Sequence, residues 1–275
     1  MNGGDRLNVV RDMVQSRLLG AIFTNSLRGE LVLKGGFAMR VMANSHRFTK
    51  DIDLAASPAI PLRVVQNCIR KAIAEIKGVG LLQNLSVSEP KQTDTTQRWK
   101  IGGRVGDHDL NLTIEVSRRN TVDQDLNNTS YETPGAGYGP VPIACIGLPS
   151  LASAKLDCLA NPRREAPRDI YDLYLLIKMD VRPTPEAIAS YGEEKLAEIR
   201  DMIWHKLEKM DYETCRTQLA GFLPSEVAVK LTPEVWDEMR LTVGTEIVNW
   251  VEGHIGKDPA GNKGEDNERM AGISL

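Results

Sequence analysis

Asp51 and Asp53 stand two residues apart in the alternating run Asp51-Ile52-Asp53-Leu54. In a strand, positions i and i+2 share a face, so both carboxylates project together while Ile52 and Leu54 turn inward. Carboxylates held that close repel each other unless a cation lies between them. Hard divalent ions such as Mg²⁺ or Mn²⁺ prefer this oxygen environment and keep positions open for phosphate. Just upstream, Leu31-Val32-Leu33 reads as a short strand ending in the turn Lys34-Gly35-Gly36, followed by a helix from Phe37 to Asn44. Two glycines allow close approach of the backbone to a ligand and leave amide N–H groups for phosphate oxygens. The helix start adds the positive end of its dipole. A third acid, Glu115, falls on the polar face of a strand over Asp109–Ser117, in which Leu110, Leu112, Ile114 and Val116 face the core. Three acids on adjacent strands beside a glycine turn frame a two-cation phosphoryl-transfer site. Asp-x-Asp alone also occurs on plain strand edges and in sugar-nucleotide transferases. The order of strand, glycine turn, helix and acidic strand is what narrows the reading.

The elements that must position these residues follow from periodicity. Leu7, Val10, Val14, Leu18 and Ile22 predict an amphipathic helix over 5–28, and Val64 to Ile76 predict another over 61–78. Arg47 to Lys50 forms a polar link, and a further strand runs through Trp99-Lys100-Ile101. The segment 132–142 is rich in glycine and proline and reads as a loop. From Pro149 the pattern is helical, with helices predicted over 150–160, 167–178, 184–208, 211–221 and 232–253. The fold class expected is an α/β (α+β) domain with a small mixed sheet over 1–145, then a mainly α-helical domain over 146–253. The polar, glycine-bearing tail 254–275 is expected to be disordered.

The helical part holds a second chemical block. Lys155 sits mid-helix on a face of small residues (Ala152, Ala154, Cys158), and Asp169 and Asp172 are three residues apart, neighbours on one helical surface. With Arg168, these acids either complete a site or form ion pairs that orient the helix.

Composition bounds the function. Of 275 residues, 41% are hydrophobic and 26% charged, as in an ordinary globular protein of about two domains. No apolar run spans a bilayer and the first residues lack a signal-peptide pattern, so a cytoplasmic protein without membrane association is expected. Cys68, Cys145, Cys158 and Cys215 are widely spaced and read as buried thiols. A net charge of −3 argues against coating nucleic acid by bulk charge, and 5% aromatics against a base-stacking platform. His46 and His108 have no partner spacing, and Trp204, Trp236 and Trp250 fall on apolar helix faces.

Together the two blocks resemble the AbiEii/AbiGii toxin family, a branch of the polymerase-β-like nucleotidyltransferases. The resemblance is carried by Leu33-Lys34-Gly35-Gly36, Arg40 and Arg47-Phe48-Thr49-Lys50-Asp51-Ile52-Asp53-Leu54. Downstream it continues in Lys155-Leu156-Asp157-Cys158-Leu159, Arg163 or Arg164, and Arg168-Asp169-Ile170-Tyr171-Asp172-Leu173. It implies a nucleotidyltransferase domain followed by a helical domain. In that scheme Gly35 and Gly36 hold a nucleoside triphosphate, with Lys34, Arg40, Arg47, Lys155 and Arg168 contributing to nucleotide binding. Asp51, Asp53 and Glu115 hold Mg²⁺ or Mn²⁺, and Glu115 is a candidate base. Lys155 neutralises phosphate charge, and Asp169 or Asp172, whichever faces the cleft, completes the catalytic set.

The resemblance further implies an RNA acceptor such as a tRNA 3′ end, a cognate antitoxin partner, and a role in a toxin–antitoxin or phage-defence system. Phe37 departs from the family, which has Thr or Ser after the two glycines; this leaves room for a catalytically silent nucleotide- or partner-binding regulator. A small-molecule or protein acceptor is the other alternative. Arg118, Arg119, Arg163, Arg164 and Arg168 flank the acids in sequence and are candidates for guiding RNA phosphates.

Overall fold

The computed structural model describes residues 3–24, 30–80, 82–119, 125–133 and 139–255; of the tail expected to be disordered, all beyond 255 lies outside the described residues. Helix α1 (Gly3–Phe23) leads into β1 (Leu31–Lys34), α2 (Gly35–Met42), β2 (Asp51–Ala56) and α3 (Leu62–Val79). Five strands follow: β3 (Gln83–Gln92), β4 (Thr96–Val105), β5 (His108–Ser117), β6 (Leu126–Tyr131) and β7 (Val141–Ile146). All later described elements are helical: α4 (Leu148–Ala160), α5 (Pro167–Lys178), α6 (Pro185–Ala189), α7 (Gly192–Lys209), α8 (Tyr212–Gln218), α9 (Ser225–Ala228) and α10 (Pro233–Glu252), with a single 3₁₀ turn at Ala220–Phe222.

The strands form one seven-stranded mixed sheet in the order β3-β4-β5-β2-β1-β7-β6. β2 pairs parallel with β5, and β1 parallel with β7; the other neighbours are antiparallel. Alternation does what the sequence predicts at the centre. Ile52, Leu54, Leu110, Leu112, Ile114 and Val116 are buried, while Asp51, Asp53 and Glu115 stay partly exposed on the opposite face. α1 and α3 pack against each other, and the buried stripe of α3 runs through Val65, Cys68, Ile69, Ala72, Ile73 and Ile76. One continuous apolar cluster joins these residues to Leu151, Leu173 and Val243 of the later helices. Long-range hydrogen bonds stitch the first helix to the last third of the chain: Asn8 Nδ2 donates to the Gly221 carbonyl at 2.9 Å, and the Ser225 hydroxyl donates to Asp5 at 2.7 Å.

Three differences from the sequence reading have physical causes. β3 and β6 were not predicted because each is an edge strand with mostly exposed side chains, so neither carries an alternating apolar face. The predicted loop 132–142 gives way to β7 at Val141, and α4 follows β7 from Leu148. The helix expected over 184–208 is broken: α6 stops after Ala189 and α7 restarts at Gly192, which takes the left-handed φ of +72° that glycine tolerates. Trp236 and Trp250 are buried as expected, but Trp204 is 40% exposed, its ring lying over Gly244 of α10. Among the described residues no helix is long and apolar enough to cross a membrane.

Candidate active site

The glycine pair does not form a separate turn before the helix. Gly35 and Gly36 are themselves the first residues of α2, entered directly from β1 at Lys34, and no side chain caps that helix start. The unpaired N–H groups of a first turn therefore stay available to an anion. Gly35 takes φ +70° and presses against Asp53: a methyl group on it would lie 2.2 Å from Asp53 Oδ2. A methyl on Gly36 would lie 3.0 Å from Arg47 Nη2 and 3.1 Å from Thr49 Oγ1. Glycine at 35 is thus what allows the helix start and the acid strand to touch. Gly35→Ala is expected to cost more than about 1 kcal/mol in a thermal melt through its positive φ alone, and to displace Asp53 and remove activity. Gly36→Ala meets Arg47 and Thr49 no closer than 3.0 Å and has no positive φ, so it is expected to be milder; equal losses from both would refute this assignment.

Register sets the acids. Asp53 is the cross-strand partner of Lys34 on β1 and of Glu115 on β5, and Asp51 is the partner of Thr113. Burial pushes the Asp53 carboxyl up to about 6, with the charges of Asp51 and Glu115 adding to the rise and Lys34 and Lys155 opposing it. Asp51 and Asp53 stand at i and i+2 of β2, so two hard carboxylate donors share one partly exposed face. Asp51 and Asp53 fit a divalent ion on that ground. Glu115 shares their face but not their direction, since Arg98 Nε and Nη2 donate to its Oε2 at 2.8 and 2.5 Å. Accordingly, among the described residues no three His, Cys, Asp or Glu side chains stand together as a metal-holding group.

The second block arrives as a buried charge network. Arg47 donates to both oxygens of Asp172, from Nε at 2.8 Å and from Nη2 at 2.7 Å. Lys155 Nζ lies 2.6 Å from Asp172 and 3.2 Å from Asp169, and Arg164 Nε reaches Asp169 at 2.7 Å. Burial would raise the Asp172 carboxyl, but the charges of Arg47 and Lys155 and their hydrogen bonds win and hold it at about 2. Burial likewise opposes the charge on Lys155, and the two aspartates overcome it and raise its pKa.

This corrects the expectation that Asp169 or Asp172 faces the cleft. Both are buried, at 1% and 0% exposure, and spend their oxygens on cations. Arg40 is a second correction. It is buried and committed to Asp12 at 2.7 Å, the carbonyls of Ser45 and His46, and the Tyr131 hydroxyl, with Phe48 stacked on it, so it does not reach the glycine pair as a phosphate ligand. Arg118 is a third, since its guanidinium donates to the carbonyls of Asp94, Pro58 and Ile60.

A cavity of about 160 Å³ opens beside Asp51, lined among others by Arg47, Thr49, Lys50, Thr113 and Arg168. The motif link at its wall is fixed from the far end of the chain: Phe48 N–H donates to the Phe222 carbonyl at 2.7 Å, and the Lys50 ammonium sits 5.2 Å above the Phe222 ring. Sequence reasoning passed over Thr49 and Arg98. Thr49 lay inside the quoted motif as linker, and Arg98 was detectable only as the polar member of the alternation Arg98-Trp99-Lys100-Ile101.

No curated protein matches the chain. Two solved structures from Helicobacter pylori are similar. JHP933 is 16% identical with a TM-score of 0.49, over 90% of this chain and 93% of its own. The other, described as a candidate nucleotidyltransferase, is 17% identical with a TM-score of 0.48, over 86% of this chain and 96% of its own. A sequence model of the family described as nucleotidyl transferase AbiEii toxin, type IV TA system, matches residues 17–249, which span both blocks. The chain belongs to the AbiEii family of nucleotidyltransferase toxins of type IV toxin–antitoxin systems.

Proposed function

We propose that the protein transfers a nucleoside monophosphate from a nucleoside triphosphate to an acceptor hydroxyl, releasing pyrophosphate, and that its activity is restrained by a cognate antitoxin. The observation that carries this reading is the contact of Gly35, at the uncapped start of α2, with Asp53, whose cross-strand partner is Glu115. A phosphate-binding helix start and an acid cluster are thereby adjacent, as transfer at a phosphorus centre requires.

Asp51, Asp53 and, after turning from Arg98, Glu115 would hold Mg²⁺ or Mn²⁺. The ion would supply charge neutralisation on the triphosphate and lower the pKa of the acceptor hydroxyl. The backbone amides of α2 bind phosphate oxygens, with Lys34 and Arg168 adding positive charge at the rim. Glu115 accepts the proton of the acceptor hydroxyl as the new O–P bond forms and the bond to the pyrophosphate oxygen breaks. Lys155 is buried and paired with Asp169 and Asp172 rather than free to neutralise phosphate as expected, so its role is indirect: with it Asp172 holds Arg47, whose Nη2 lies beside Gly36.

Phe37 does not occupy the cradle. Its ring is buried edge-on to Tyr131, with centroids 5.3 Å apart. Thr49, whose Oγ1 lies beside Gly36 and accepts from the Asp51 N–H at 3.3 Å, would take the place of the hydroxyl that the family has after the two glycines.

An RNA 3′ end, a tRNA in particular, is the acceptor proposed. Incubating the protein with labelled triphosphates, total RNA, purified proteins and small hydroxyl compounds tests it. Label in RNA that depends on Asp51 and Asp53 is expected; label confined to protein or small molecules would eliminate the RNA version. Growth arrest that persists in Asp51→Ala/Asp53→Ala would instead favour a silent regulator.

A further inference from the structure

One row of charge crosses the polar face of the sheet. Lys34 is the cross-strand partner of Asp53, Asp53 of Glu115, Glu115 of Arg98, and Arg98 of Lys91. Glu115 therefore has an acid on one flank and a guanidinium on the other. Strands lie about 4.8 Å apart, and the flexible glutamate side chain lets its carboxylate lean to either neighbour. Here it leans to Arg98, which sends both Nε and Nη2 to the single oxygen Oε2. Arg98 and Glu115 are 40% and 33% exposed, so the pair has room to open. The adjacent row offers a contrast: Asp51 faces Thr113, and Thr113 faces Lys100, so that lysine has no acid opposite it.

Resting on the reading that Asp51, Asp53 and Glu115 take a divalent cation, we propose that Arg98 is a positioning residue that holds Glu115 off the aspartate pair until the cation arrives. Arg98 and the cation compete for one carboxylate. Without a cation, a third carboxylate turned toward Asp51 and Asp53 adds like charge to that face, and Arg98 on the other flank offers the alternative partner. With a doubly charged ion in place, that attraction exceeds what one half-exposed ion pair returns.

Mn²⁺ binding to the full chain without nucleotide, followed by electron paramagnetic resonance, tests this. Arg98→Ala is expected to tighten Mn²⁺ binding by about fivefold, the low end of the range for coupled sites. Arg98→Lys is expected to return most of the way to the wild-type affinity. Lys100→Ala removes the same charge from the same face and is expected to change nothing. In a Glu115→Gln background, Arg98→Ala is expected to have no further effect. Equal tightening by Lys100→Ala, or tightening that survives Glu115→Gln, would reduce Arg98 to background charge and overturn the proposal; so would weaker binding in Arg98→Ala. Wild-type protein that binds no Mn²⁺ while Asp53→Asn leaves its fold intact would instead bring down the cation reading beneath it.

Discussion

Asp53→Asn is expected to lower nucleotidyl transfer by about 10³-fold or more, and at the same time to make the metal-free protein more stable at neutral pH. The first effect follows from removing a charge on which the cation depends, a loss of several kcal/mol in the transition state. The second follows from linkage. Asp53 is raised from 3.8 to about 6, so the folded state holds its proton more tightly than the unfolded chain does. Ionising it therefore penalises folding: the penalty is absent below pH ~3.8, grows as pH rises towards ~6, and is complete above it. The displacement corresponds to on the order of 2–3 kcal/mol, and asparagine, which never ionises, escapes it. Urea unfolding of wild type and Asp53→Asn in chelator checks this. The two curves should converge near pH 4 and separate by pH 7.5, and added Mg²⁺ should stabilise only the wild type. A variant less stable than wild type at pH 7.5 would show that Asp53 serves the fold rather than the cation.

Asp172→Ala is expected to have the largest effect on stability. It leaves Arg47 and Lys155, both nearly inaccessible, facing each other without their shared anion. Removing one member of a buried ion pair costs about 3–5 kcal/mol, a large part of a domain's 5–15 kcal/mol. The sign with pH is opposite to that of Asp53. The Asp172 carboxyl is depressed to about 2, so its contribution is fully present above pH ~3.8 and is lost as pH falls through ~2. Asp172→Asn should accordingly flatten the acid limb of the stability profile between those values. An unchanged urea midpoint in Asp172→Ala would mean that the two cations find other partners.

The shared face of Asp51, Asp53 and Glu115 was legible because period-two alternation fixes it locally; that Glu115 turns to Arg98 and that the glycines open α2 was not. The helices of the second half were legible for the same reason at the helical period. The fates of Arg40 and Arg47 were not. Both are arginines in the same motif, yet one is sealed against Asp12 and the other reaches the glycine cradle, a distinction made by residues 28 and 125 positions away. The burial of Asp169 and Asp172 depends likewise on which cations α4 and the motif link present to α5. Arg98 acquires meaning only from a strand register that no single segment encodes, and the edge strands β3 and β6 leave no apolar rhythm to read.

The separation of 125 residues between Arg47 and Asp172 bears on how the toxin is made. A ribosome delivers the acid cluster and the glycine cradle early, but their buried counter-ions emerge only with α5, and the Phe222 carbonyl that anchors Phe48 later still. Until then Arg47 lacks the carboxylate with which it pairs in the full chain. The contacts that hold this motif link are therefore completed only once the second half of the chain has been made.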